Sequence, residues 1–346
     1  MKYKQLGRSD LNVSLIGLGT MTWGRQNTQD EGFEQMDYAL DHGINFFDTA
    51  EMYAVPPNAE TYGKTETIIG NWFESRKNRD KVILASKIAG PGMAWVRNGE
   101  NVIDRKNILL AVEDSLTRLK TDYIDLYQLH WPNRGSYHFG QIWDYAPDFD
   151  KQAVEANFIE VLETLAELIS AGKIRHVGLS NETAWGTSKW LELSEKHNLP
   201  RMATIQNEYS LMARHFEPDL SEIALHEDCG LLAWSPLTRG LISGKYLNGA
   251  MPKGTRLAID SRKEHRANPQ TDATIEAYMA LAKEHNLDVC QMALAFVNQQ
   301  PFVTSNLIGA TTMQQLKSNI DSINLTLSQD VLEGIQAVRR RYPMPF

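Results

Sequence analysis

Asp48, Tyr53, Lys87 and His130 are residues that hold, give or orient protons, and three of them close apolar runs. In Asn45-Phe46-Phe47-Asp48-Thr49-Ala50-Glu51-Met52-Tyr53 the apolar run stops at an acid, and a tyrosine follows on the next loop. Side chains alternate along a strand, so Asp48 faces the same way as Phe46. A carboxylate there is costly unless paired. Alone, the acid also reads as a helix N-cap or a satisfied core carboxylate, His130 as a core histidine and Lys87 as a snorkelling side chain. Together the four suit proton donation to a carbonyl oxygen. A free phenol, with a pKa of about 10, is a poor acid at neutral pH. A nearby ammonium favours the phenolate, a carboxylate holds that ammonium, and an imidazole orients the substrate oxygen. No side chain supplies hydride, so a cofactor must.

These residues are far apart in the chain, so the fold must gather them. Strand-like runs at Ser14–Gly17, Asn45–Asp48, Val82–Lys87, Tyr123–His130, His176–Ser180, Ala203–Gln206, Gly230–Trp234 and Asn306–Gly309 alternate with helical stripes. Examples of such stripes are Ile108, Val112, Leu116, Leu119 and Phe158, Val161, Leu162, Leu165, Leu168, Ile169. Eight strand–helix units predict a closed (β/α)8 TIM barrel in a single domain, residues 1–346, because parallel strands need helical crossovers. Lys2–Leu6 and Leu11–Val13, around Gly7-Arg8-Ser9-Asp10, predict an N-terminal hairpin. Asp48, Lys87 and His130 then end the second, third and fourth barrel strands, with Gln128 on the face of His130.

Three connections after strands are long: Met52–Gly63 with Pro56-Pro57, Trp131–Gln152, and Leu237 to about Thr271. The second carries Trp131, Tyr137, Phe139, Trp143, Tyr145 and Phe149; the third carries Arg256, Arg262, Lys263 and Arg266. Loops of this kind over a barrel mouth are expected to cover substrate and cofactor.

Composition excludes several classes. At 346 residues, 42% hydrophobic and 23% charged, the chain is an ordinary globular sequence. No apolar run is long enough for a bilayer, and the N-terminus lacks a signal-peptide core. A net charge of −8 argues against a broad nucleic-acid surface. Cys229 and Cys290 have neither disulfide nor metal spacing and read as buried reduced thiols, so the expected compartment is cytoplasmic. His197 and His285, in Lys196-His197-Asn198-Leu199 and Glu284-His285-Asn286-Leu287, read as helix endings rather than metal ligands. No metal is expected. Gly17-Leu18-Gly19-Thr20-Met21-Thr22 is not a Rossmann fingerprint, because Thr22 stands at the third glycine; its glycines suit a tight turn or close approach to a cofactor.

Asp-Thr-Ala-x-x-Tyr, a lysine ending the third strand and a histidine ending the fourth resemble the aldo-keto reductase superfamily. So do Gly17-Leu18-Gly19-Thr20-Met21, His130-Trp131-Pro132, Gly172 through Asn181, and Trp234-Ser235-Pro236-Leu237. The resemblance covers nearly the whole chain and is nearest the branch of Tas-like reductases and potassium-channel β subunits. It implies NADPH-dependent reduction of a small carbonyl compound, with Tyr53 as proton donor, Lys87 and Asp48 tuning it, and His130 orienting the carbonyl. A slow-turnover, dinucleotide-binding redox sensor is the alternative that the branch brings. One departure is an insertion between Tyr53 and Tyr62-Gly63-Lys64-Thr65-Glu66, which makes Tyr62 a competitor; spacing from Asp48 favours Tyr53.

The same resemblance carries NADP(H) contacts onto Gly19, Thr20, Met21, Asp48, Ser180, Asn181 and Gln206, with Trp234 stacking on the nicotinamide beside Ser235, Pro236 and Leu237. Trp234 also reads as core filler. Gly309-Ala310-Thr311-Thr312 leads into a helix whose first amides favour anions. By resemblance, Gln315 and Asn319 meet adenine, with Ser318 where an acid is common. Lys245 and Arg256 meet phosphates, Arg262 being an alternative. A guanidinium fork at a phosphate predicts preference for the phosphorylated dinucleotide. Trp23, Tyr53, Trp95, His130 and Trp131 are the expected substrate pocket.

Overall fold

A computed structural model describes residues 1–147, 150–260, 266 and 268–346. Phe149, Arg262 and Lys263 lie outside the described residues. Among the described residues ten strands run β1 (Tyr3–Gln5), β2 (Asn12–Ser14), β3 (Ile16–Gly19), β4 (Phe46–Asp48), β5 (Ile83–Ile88), β6 (Ile124–Leu129), β7 (Ile174–Ser180), β8 (Met202–Glu208), β9 (Gly230–Trp234) and β10 (Val303–Ile308). The last eight are parallel neighbours in chain order, and β10 pairs back onto β3, which closes the barrel. Helices follow as α1 (Gln29–Asp41), α2 (Lys64–Arg76), α3 (Arg105–Leu119), α4 (Lys151–Ser170), α5 (Ala184–His197) and α6 (Leu220–His226). After β9 come α7 (Arg256–Ile259), α8 (Pro269–Glu284) and α9 (Val289–Asn298), and after β10 come α10 (Met313–Asp321) and α11 (Gln329–Arg341). This is the (β/α)8 barrel that the strand rhythm predicts. No helix among the described residues is long and apolar enough to cross a membrane.

The first strand is shifted from its expected place. Ser14 belongs to the β1–β2 hairpin, and the barrel strand begins at Ile16. The long-range partner decides this: the Ser14 amide donates to Asn45 Oδ1 at 2.8 Å. Leu6, Leu11 and Val13 of the hairpin region join Phe46, Ala85, Leu126, Leu232 and Leu307 in the barrel's inner core. Alternate residues of the same strands, such as Phe47, Leu84 and Tyr127, face outward into the larger core beneath the helices. The glycines of β3 are required by close packing. A Cβ on Gly17 would stand 2.7 Å from Leu307 Cδ2, and one on Gly19 would stand 3.0 Å from the Ile308 carbonyl oxygen. Cys229 is buried and Cys290 half-buried, both unbridged.

Candidate active site

The mouth of the barrel brings three buried polar groups together inside the strand ring. Lys87, on β5, donates to Asp48 Oδ2 and to the Thr49 carbonyl, each at 2.7 Å, and its Nζ lies 3.5 Å from the Tyr53 hydroxyl. The other Asp48 oxygen accepts from Gln206 Nε2 at 2.7 Å and Gln128 Nε2 at 3.2 Å. Asp48 is therefore a satisfied carboxylate, as burial demands. His130 follows β6, and its ring stands edge-on to Tyr53 with centroids 5.8 Å apart. Its Nδ1 is buried without a hydrogen-bond partner. The four residues singled out in the sequence thus meet at one place.

Electrostatics assigns them states. Burial is the largest influence on Lys87 and opposes its charge, but Asp48 and Tyr53 together outweigh it and hold the ammonium above the usual lysine range. Burial raises the Tyr53 phenol, and Lys87 lowers it only in part. The expectation that the ammonium brings the phenol down therefore needs correcting: its pull is present, but desolvation wins. Tyr53 is fully protonated at neutral pH. Burial, helped by Lys87, pushes His130 well below the usual histidine range, so the imidazole is neutral.

Tyr62 is occupied elsewhere. Its hydroxyl donates to Glu51 Oε2 at 2.8 Å, and Arg118 lies over its ring. Trp23 does not belong to the pocket: it is fully buried in the outer core, with its indole N–H donating to Gln35 at 3.0 Å and its ring against Gly32. Trp95 is 39% exposed on the loop after β5. Trp131 does flank the site, with its ring 4.7 Å from that of His130. Phe139 stands edge-on to Trp131 and is stacked on Trp234, centroids 6.0 Å apart and planes 22° apart. One Trp234 face is therefore covered by the loop after β6. That loop is anchored at its base, where Arg134 pairs with buried Glu182.

A profile of the aldo/keto reductase family matches residues 15–340. The chain belongs to the aldo/keto reductase family. Among its relatives, "Protein tas" of Escherichia coli (strain K12) is 49% identical over 351 residues, covering 100% of this chain and 99% of the relative. "Uncharacterized oxidoreductase YrpG" of Bacillus subtilis (strain 168) is 34% identical, covering 98% and 96%. "Probable voltage-gated potassium channel subunit beta" of Arabidopsis thaliana is 28% identical, covering 99% and 98%. The expected branch is thus represented among the relatives.

As an aldo/keto reductase the protein is an oxidoreductase, and the family generally uses nicotinamide cofactors. The groups beside the mouth fit a carboxamide. Both amide hydrogens of Asn181 are used, by the His130 carbonyl and Ser180 Oγ, while its Oδ1 is buried with no partner. Gln206 likewise donates to Asp48 and to Gln128 Oε1, at 2.7 and 3.1 Å. Each is left with an acceptor oxygen, which suits an amide NH2. Ser180 Oγ donates to the Gln206 carbonyl, which ties β7 to β8. Thr20 is buried and donates to the Asp48 carbonyl, so it braces that strand end.

Arg256 Nη1 lies 3.9 Å from Met21 Sδ, so the third loop reaches the rim beside β3. Gly309 has open space where a side chain would sit. Gln315 Oε1 accepts from the Thr311 amide and hydroxyl, and Asn319 donates to the Gly309 carbonyl. These two side chains shape the α10 entrance. Ser235 takes a left-handed backbone at φ 54°, and Lys245 Nζ lies over the Tyr246 ring. The sequence reading missed Gln128 as an Asp48 donor, although its place on the His130 face was the available signal. It also missed Glu51 and Arg97.

Proposed function

We propose that this protein reduces aldehydes or ketones to alcohols with NADPH, and that Tyr53 gives the proton to the carbonyl oxygen. The observation that carries this is the buried chain Asp48–Lys87–Tyr53, with a neutral His130 ring at its edge. A bound reduced nicotinamide supplies the hydride. Tyr53, protonated at neutral pH, donates its O–H as charge develops on the carbonyl oxygen; the Lys87 ammonium, fixed by Asp48, then stabilises the phenolate. His130, neutral, directs a ring nitrogen at the same oxygen and orients it. Gln128 and Gln206 keep Asp48 aligned on Lys87. Ser180, Asn181 and Gln206 would hold the carboxamide, and Trp234 would border the ring. Arg256, with Lys245, would meet the phosphates, which favours the phosphorylated dinucleotide.

Steady-state oxidation of NADPH against a panel of aldehydes, in wild type and Tyr53→Phe, tests the reading. Turnover should fall by at least about 10²-fold in the variant, the lower end of a positioned acid's contribution, with dinucleotide affinity intact. Near-normal turnover would remove Tyr53 from the role. Tight dinucleotide retention without turnover in the wild type would favour the sensor reading; the Arabidopsis relative is named as a probable channel subunit.

A further inference from the structure

Two residues before the tyrosine, Glu51 has a carboxylate with no solvent exposure. It accepts four hydrogen bonds from three donors on three other segments. Oε1 accepts from the Ala89 amide at 2.6 Å; Arg97 Nη1 reaches both oxygens, at 3.0 and 2.8 Å; the Tyr62 hydroxyl donates to Oε2 at 2.8 Å. A second Arg97 nitrogen donates to the Ala89 carbonyl at 3.2 Å. The backbone explains why this carboxylate is needed. Past β4 the chain continues along β5, with the Thr49 amide on the Ala85 carbonyl and the Glu51 amide on the Lys87 carbonyl. It then turns, closed by the Tyr53 amide on the Ala50 carbonyl at 3.1 Å. The next amide, that of Ala89 just past β5, has no strand partner, and the Glu51 side chain takes that place. This lets the backbone leave the ladder and swing Tyr53 back over Lys87.

The clamp has independent signs of being imposed. Arg97 and Asn98 take consecutive left-handed conformations, φ 46° and 55°, which non-glycine residues rarely adopt. That kink delivers the guanidinium to Glu51. Ala50, Met52, Val55, Ala89 and Val96 pack around it as a separate apolar cluster against Tyr53 and Tyr62. Arg97 also satisfies the Glu51 charge, leaving Lys87 to Asp48.

We propose that Glu51 is a positioning residue for the proton donor: with Arg97 and Tyr62 it fixes the turn that sets Tyr53 against Lys87. The proposal rests on Tyr53 being the donor. It gives the competing tyrosine a role too, as a brace on the same turn.

The test measures kcat, KM, dinucleotide Kd and thermal midpoint in the full-length protein for E51Q, for E51Q/R97M and for Y53F. E51Q should lower kcat on the order of 10²-fold, as a misplacement of about 1 Å does, with KM and Kd little changed. Because E51Q leaves a buried guanidinium without its carboxylate, the double variant removes both charges. Its thermal midpoint should recover while kcat stays low. Near-wild-type kcat in folded E51Q, beside an inactive Y53F, would overturn the positioning role alone. Recovery of kcat together with the midpoint in the double variant would also overturn it, since stability would then be the whole effect. Full turnover in Y53F would remove the proton donor, and this proposal with it.

Discussion

Lys87 Nζ and Asp48 Oδ2 lie 2.7 Å apart with both side chains almost wholly buried. A buried ion pair of this kind is weak evidence for stability, yet removing one partner strands the other. Here the pair also keeps the ammonium charged beside the phenol. Asp48→Asn is therefore expected to do two things at once. Stability should drop by about 3–5 kcal/mol, the usual cost of breaking a buried pair, and Lys87 should lose part of its charge as its carboxylate is gone. Urea unfolding reads the first effect, and turnover per folded molecule reads the second. A variant as stable and as active as wild type would mean that Asp48 serves neither purpose.

Activity should depend on pH only at the alkaline end. A general acid works while protonated, so its loss comes as pH rises through its pKa. Burial holds Tyr53 above the usual tyrosine range, which puts that limb above about pH 10 in the free enzyme. His130 sits well below the usual histidine range, so it stays neutral throughout and adds no limb near pH 6.5. The profile of kcat/KM for an aldehyde checks both. An inflection near 6.5 that disappears in His130→Gln would contradict the neutral imidazole.

Much of this was legible in the sequence, for physical reasons. Barrel strands buried on both faces read as short apolar runs separated by helical stripes, and three of the four site residues sit where those runs end, with Tyr53 on the loop after one of them. Local chemistry was equally readable at Asn198 and Asn286, which take the left-handed conformation, φ 53° and 55°, at the two look-alike helix ends. What failed depended on distant partners. Ser14 joined the hairpin because Asn45 holds it. Trp23 looked like pocket wall, but its N–H finds Gln35 in the core. That β10 and the inner core press on the β3 glycines was likewise invisible, because those neighbours come from the far end of the chain. Glu51 carried no pattern, because its partners Ala89, Arg97 and Tyr62 are joined only by the fold.

Arg256 offers a test of cofactor choice. Its guanidinium reaches across the rim to Met21 and lies near enough to Tyr53 to act on the phenol. A fork on a phosphate dianion gives charge-assisted bonds, each worth about 1.5–3 kcal/mol. Arg256→Ala should thus weaken NADPH binding by roughly 10–100-fold while changing NADH much less. Quenching of tryptophan fluorescence by each dinucleotide measures the ratio. Equal losses for both would shift the contact to the shared pyrophosphate, and no loss for either would end the assignment.

His138 predicts how the loop after β6 responds to acid. Its Nε2 faces the Glu182 carbonyl at 3.3 Å, beside the Arg134–Glu182 pair that anchors this loop. Burial pushes the ring down to about 4, only partly opposed by that carbonyl, and His215 lowers it further. The histidine of the unfolded chain takes up a proton near pH 6.5, while the folded one does not until about 4. The unfolded state therefore binds more protons in that interval, and stability falls as pH drops. From pH 7 to pH 5 the loss from this one group is about 2 kcal/mol. Urea midpoints at the two pH values should separate by less in His138→Gln than in wild type. If the two proteins lose stability in parallel, the ring is not held neutral, and the anchoring of Phe139 over Trp234 does not depend on its state.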